Sequence, residues 1–302
     1  MNETVHRLRT AAPAIVLLLV ALLGLGFQLQ LPRAFPSDAD YRAVTGALAK
    51  DRAPGDVVLL HPWWTERARL FLPSELPVVG YLGDTADDLL EHPRIWVLAN
   101  ERLPRTPDRD FRQHFLPDRT PLGAPRQFGP LTLTPYRNGR ARTVVLSTVD
   151  AFDQLEVSVE GAGTPSQPCR RAGARVQCPF DASVEVAWHE VLYQPVRCLF
   201  VVPPGGGRTL SIRLPDAPAA DTLLLEAGVT WEHAWLAGRS DVQLRLDSPA
   251  GALHLRIPGA HEGFVRGESP ASAPGPWSLH VTTANPQDRQ VCVRLRALGA
   301  PP

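Results

Sequence analysis

Within the five residues Trp231-Glu232-His233-Ala234-Trp235 the chain sets two indoles, a carboxylate and an imidazole. Sugars present C–H faces that stack on aromatic rings, and hydroxyls that need planar polar partners. Indole with Glu, His or Arg supplies both. Trp188, His189 and Tyr193, on an earlier strand-like run, are candidates to join them. The competing assignment for these tryptophans is a buried core, where large aromatics often go. Trp231 and Trp235 would share parity along a strand, which favours an inward place for one ring. Glu226 and Glu232 are the acid/base candidates if the chain instead cleaves a polysaccharide. Glycosidases hold two carboxyls roughly 5–9.5 Å apart across the bond, a separation that sequence does not give.

A second constellation is His61-Pro62-Trp63-Trp64 with Glu66. It follows an apolar run at the edge where open α/β sheets bind ligands. Against a site there, no Gly-rich turn offers backbone amides to a phosphate, and no nucleophile or paired acid accompanies the histidine. Pro62 fits a helix start, and paired tryptophans fit a sheet edge or a membrane interface. The stretch reads as the handover from strand to helix, with ligand contact as the alternative. Asp38 and Asp40 form a D-x-D, but they stand where a helix needs its cap. Asp84, Asp87 and Asp88 get the same assignment. The run from His189 to Tyr193 begins like H-E-x-x-H and lacks the second histidine. No metal ligand set and no cofactor motif is found.

Cys169, Cys178, Cys198 and Cys292 are the four cysteines. They allow three pairings. Cys169–Cys178 closing a short loop, with Cys198–Cys292 joining two strands, is the favoured one. An oxidising compartment is the setting for such pairs.

These residues need elements to hold them. Residues 37–137 alternate helix and strand: a capped helix over 37–55, apolar strands in "DVVLLH", "PVVGYL" and "RIWVLAN", helical stretches between them, and a closing hairpin around Gly129-Pro130. That pattern predicts a small Rossmann-like three-layer α/β domain with a parallel core. From residue 140 to 302, short alternating runs separated by Gly/Pro turns predict about ten antiparallel strands, a jelly-roll β-sandwich. Residues 11–31 are almost wholly apolar and follow Arg7 and Arg9. They predict a transmembrane anchor with residues 1–10 cytoplasmic, and a cleaved signal peptide is the alternative. The inner membrane, with the bulk of the chain periplasmic, is the expected location.

The chain has 302 residues and balances 31 basic against 31 acidic side chains. That balance gives no electrostatic case for nucleic acid.

The apolar helix, then "DADYRAVTGALAKDRAPGDVVLLHP", two β/α units and "RQFGPLTLTPY" resemble the periplasmic region after the last membrane helix of GT-C glycosyltransferases, the protein mannosyltransferase and aminoarabinose transferase class. The resemblance covers about residues 12–136. It implies an envelope location and a link to glycans. The family's catalytic acids lie in loops between membrane helices that this chain lacks, so no catalytic residue carries over. The β-rich half resembles galactose-binding-like and carbohydrate-binding jelly rolls. Together these imply a non-catalytic binder of glycan or lipid-linked sugar, or an accessory to a membrane glycosyltransferase. A polysaccharide-acting enzyme and an envelope protein scaffold are the alternatives.

Overall fold

The computed structural model describes residues 16–30, 35–62, 65–81, 89–100, 111–161, 164–192, 194–235, 240–286 and 289–300. Trp63, Trp64, Asp84, Asp87, Asp88 and Tyr193 lie outside them, as does the side chain of Trp231. The chain divides into two compact units, Met1–Ala141 and Arg142–Pro302.

The first unit is built on strands β1 (Val57–His61), β2 (Val78–Gly80), β3 (Arg94–Asn100), β4 (Arg119–Pro121), β5 (Arg126–Phe128) and β6 (Leu131–Asn138). Their order is β2-β1-β3-β6-β4, and β5 also pairs with β6. Only β2, β1 and β3 run parallel; the β6 side is antiparallel. Every residue of β1 is buried, because both sheet faces are covered. On one face Tyr41, Val44 and Leu48 of the helix Asp38–Asp51 pack on Val58, Leu60, Trp96 and Leu131. On the other, Tyr81, Phe111 and Phe115 cover Val57, Leu59 and Ile95.

The Rossmann-like expectation is corrected here. The stretch expected as the first crossover helix holds only a 3-10 turn, Glu66–Leu70. Its bounding prolines, Pro62 and Pro73, leave about ten residues, the lower limit for a helical crossover. The segment 82–88 lies outside the described residues, and half of the sheet is antiparallel.

The membrane anchor is corrected too. Residues 16–30 are helical and exposed along their length. At 1.5 Å per residue they rise about 22 Å, against a hydrocarbon layer of about 30 Å. Among the described residues no helix is long and apolar enough to cross a membrane. Residues 1–15 and 31 of the expected segment lie outside the described residues. The inner-membrane location drawn from this span falls with it.

The second unit is a two-sheet antiparallel sandwich. Its strands are β7 (Val144–Ser147), β8 (Glu156–Gly161), β9 (Thr164–Pro168), β10 (Arg170–Ala172), β11 (Arg175–Gln177), β12 (Ser183–Val191), β13 (Gln194–Val202), β14 (Thr209–Ala217), β15 (Ala220–Val229), β16 (Val242–Ser248), β17 (Gly251–Ile257), β18 (Phe264–Ser272), β19 (Gly275–Thr283) and β20 (Val291–Leu298). One sheet runs β10-β11-β12-β13-β20-β15-β18, with β7 on β20; the other runs β17-β16-β19-β14-β8-β9. From β13 onward the chain repeatedly switches sheets, as jelly rolls do. Alternate residues such as Leu210, Ile212, Leu225, Leu244, Leu279 and Val293 fill the space between the sheets around Trp277. Both expected disulfides form: Cys169–Cys178, and Cys198–Cys292. They fit an oxidising compartment.

Candidate functional site

The β12–β13 hairpin is long because nine residue pairs stay in register, from Ser183↔Val202 to Val191↔Gln194. Its tip does not extend freely. Val191 and Val196 pack with Cys198, Cys292 and Phe264 in a small cluster outside the main core. The contact needs glycine on the facing strand. A Cβ on Gly228 would lie 2.7 Å from Val191 Cγ1 and 2.8 Å from the Gly263 carbonyl oxygen. The Cys198–Cys292 bridge ties β13 to β20 beside this contact.

Strand alternation then decides what the hairpin shows to solvent. His189, two residues from Val191, stacks on Phe200 with ring centroids 3.8 Å apart. Trp188 takes the opposite face and is 68% exposed. Directly across from it stands Arg197. The Arg197 guanidinium lies 3.1 Å from Asp150 Oδ1. Glu190, of the same parity as Trp188, is exposed as well. An indole face, a guanidinium and carboxylates therefore share one accessible surface of the hairpin.

The WEHAW stretch is not a strand. Residues Trp231–Ala234 form a single helical turn after β15. Thr230, in extended backbone, accepts the amides of His233 and Ala234, and its hydroxyl lies 3.0 Å from His233 Nδ1. The parity argument for the tryptophans thus lapses. Arg289, buried to 1% exposure, donates to the carbonyl oxygens of His233, Ser240 and Gly259 and holds the turn's end. The turn packs beside β12. Glu232 is exposed, His233 half-buried, and Trp235 is 52% exposed. The structure thus brings the WEHAW turn to the strand that carries Trp188. Sequence reading missed Arg197 and Asp150, because their relation to Trp188 exists only once the hairpin register is known.

Glu226, the acid candidate, is fully buried on β15. Its Oε1 accepts from Arg266 Nε at 3.0 Å, and its Oε2 from Arg296 at 2.6 Å and Arg294 at 3.1 Å. Both oxygens are engaged by guanidinium groups, the arrangement of a structural ion cluster rather than of a proton donor facing substrate. His61 is 2% exposed. It stacks on Phe111 at 4.2 Å and meets Tyr81 edge-on at 5.9 Å. Glu66 lies on the outside of its turn, engaged by Arg69. In the D-x-D, Asp40 and Ser37 form a capping box, and Asp38 pairs with Arg67 at 2.7 Å. Among the described residues, no three His, Cys, Asp or Glu side chains gather as a metal site would need.

No protein-family model matches the chain, and no curated protein matches it. Solved structures similar to part of it include carbohydrate-binding modules as well as enzymes such as a family two carbohydrate esterase. One contains CBM51-2 in complex with GlcNAc and INT domains from Clostridium perfringens ZmpB. It has TM-score 0.30 and 12% identity, covering 56% of this chain and 35% of that one. A second is described as a carbohydrate-binding module of the β-sandwich superfamily with promiscuous specificity, at TM-score 0.30 and 10% identity, covering 57% and 68%. A third is the N-terminal cellulose-binding domain of Cellulomonas fimi β-1,4-glucanase C, at TM-score 0.22 and 9% identity, covering 47% and 86%. This chain therefore spans about a third of the first of them. Likenesses this low carry no argument about this chain, and none of them supports the glycosyltransferase resemblance.

Proposed function

We propose that the sandwich unit is a non-catalytic glycan-binding module, and that its binding surface is the corner formed by the exposed Trp188–Arg197 part of the β12–β13 hairpin and the Trp231–Ala234 turn. The observation that carries this reading is the exposure of Trp188 beside the Arg197–Asp150 pair. The same unit buries Trp277 to 1% exposure. An indole held outward by a braced hairpin serves a partner with a flat apolar face. Sugar rings have such a face, and their hydroxyls suit a guanidinium and carboxylates alongside it. Trp235, Glu232 and His233 extend the surface from the adjoining turn, with Trp231 and Tyr193 as further candidates.

The reading is tested by titrating the full chain with a panel of polysaccharides and lipid-linked sugars, followed by intrinsic tryptophan fluorescence. Saturable binding that Trp188→Ala weakens about tenfold or more, with the melt unchanged, is the expected result. Binding unaffected by both Trp188→Ala and Trp235→Ala would overturn it.

A further inference from the structure

A different face of the sandwich carries a row of polar side chains in register across five strands. In the β17-β16-β19-β14-β8 sheet, inward residues such as Leu210, Val157 and Leu244 are core. The outward residues fall into register across the sheet: His254 faces Arg245, Arg245 faces His280, His280 faces Ser211, and Ser211 faces Ser158. With strands about 4.8 Å apart, this row is about 19 Å long. It lies along two depressions, of about 590 and 330 Å³, whose walls share Glu160 and His280. No Trp, Tyr or Phe lines either one.

Asp247 organises the middle of the row. Its Oδ1 accepts from Arg245 Nε at 2.9 Å, and its Oδ2 lies 3.3 Å from His280 Nε2. One carboxylate therefore orients an arginine and a histidine side by side. Arg245 spends only Nε on that contact, so the terminal edge of its guanidinium faces the groove without a protein partner among the described residues. That edge is a planar two-donor fork, the geometry that matches a carboxylate. Of the nearby acids, Glu156 is already engaged by Arg213 at 2.7 Å. Asp247 spends its carboxylate on Arg245 and His280, and Glu160, three strands away on β8, lines the far side of the same depressions, so the ligand's carboxylate seats at the Arg245 end.

We propose that this groove is a second ligand site and takes an extended acidic glycan. A ring carboxylate docks on the terminal edge of Arg245, and sugar hydroxyls meet His280, Ser211, Ser158, Gln243 and Thr282. The inference does not depend on the tryptophan corner, since the two surfaces share no residue.

Calorimetry of the full chain with an oligogalacturonate, and with its methyl ester, separates charge from backbone shape. The acid form is expected to bind about tenfold or more tightly than the ester. Arg245→Ala should abolish that difference, and Arg245→Lys should restore it only in part. Trp188→Ala should leave it unchanged. These positions are on the sheet surface, and a thermal melt of each variant checks folding. Failure of both forms to bind, equal binding of both, or loss in Trp188→Ala with none in Arg245→Ala would overturn the proposal. Neutral-glycan binding at the tryptophan corner that survives Arg245→Ala keeps that reading separate.

Discussion

Single residues show how environment assigns a role that residue type leaves open. Trp188 and Trp277 are chemically identical, yet one is 68% and the other 1% exposed. Trp188→Ala should therefore change folding stability by no more than about 0.5 kcal/mol, as exposed substitutions usually do, while glycan affinity falls. Chemical denaturation and binding isotherms on the same variant check both halves. Glu226 is the reverse case. Buried among Arg266, Arg294 and Arg296, it balances charges that have left water. Glu226→Gln removes that charge and should cost about 3–5 kcal/mol in unfolding free energy. A variant as stable as the parent would show that the cluster is neutralised in another way. His61 looked chemical in sequence because of its tryptophan neighbours. In the fold it is one aromatic in a stack with Phe111 and Tyr81, a placement that depends on residues some twenty to fifty positions away.

At the level of elements, the hairpin that presents Trp188 is secured by a glycine contact and a disulfide. Gly228→Ala would push a methyl into Val191 and the Gly263 carbonyl. We expect a loss of about 1–3 kcal/mol, typical of overpacking, together with weaker glycan binding as the tip shifts. Equilibrium unfolding and the binding isotherm should move together. Replacing Cys198 and Cys292 with serine should cost about 2–5 kcal/mol, since their bridge closes the longer of the two loops. Comparing denaturation of parent and variant, with and without reductant, measures it. Nearby, Asp241 fastens the Pro258–Gly259 turn. The Gly259 amide first, and the Arg256 guanidinium second, hold its carboxyl below the usual carboxylate range. A folded-state value below the unfolded one means that the stabilisation is present at neutral pH and fades as pH falls through that lowered value. The stability difference between parent and Asp241→Asn should accordingly shrink in acid, as melts across a pH series would show. Strand periodicity and turn residues made most of the sandwich strands legible in sequence. The helical turn at Trp231–Ala234 was not legible, because two tryptophans four apart satisfy strand parity as well as one helical turn.

Across the whole molecule, sequence pattern distinguished an alternating α/β region from a β-rich one, and of the three possible cysteine pairings the favoured one forms. The errors came from segments whose local pattern is permissive. An apolar stretch beginning at residue 11 has the composition of a membrane span, yet the helix described over residues 16–30 falls short of one. Apolar runs in β1 and β3 imply parallel strands, but Pro62, Pro73 and Pro77 cut the segment that would have been a crossover helix. Register was the quantity that sequence could not supply. It sets Arg197 beside Trp188, and His254, Arg245 and His280 in one row, and both proposed ligand surfaces rest on it. Contact between sugars and the exposed indoles of the hairpin corner can be followed through the indole N–H resonances of the full chain while a bound glycan is titrated in. Assignments would come from single Trp→Phe variants. Trp188 and Trp235 are expected to shift and saturate with the ligand while buried Trp96 and Trp277 stay in place. Saturable glycan binding that moves neither Trp188 nor Trp235 would contradict that contact.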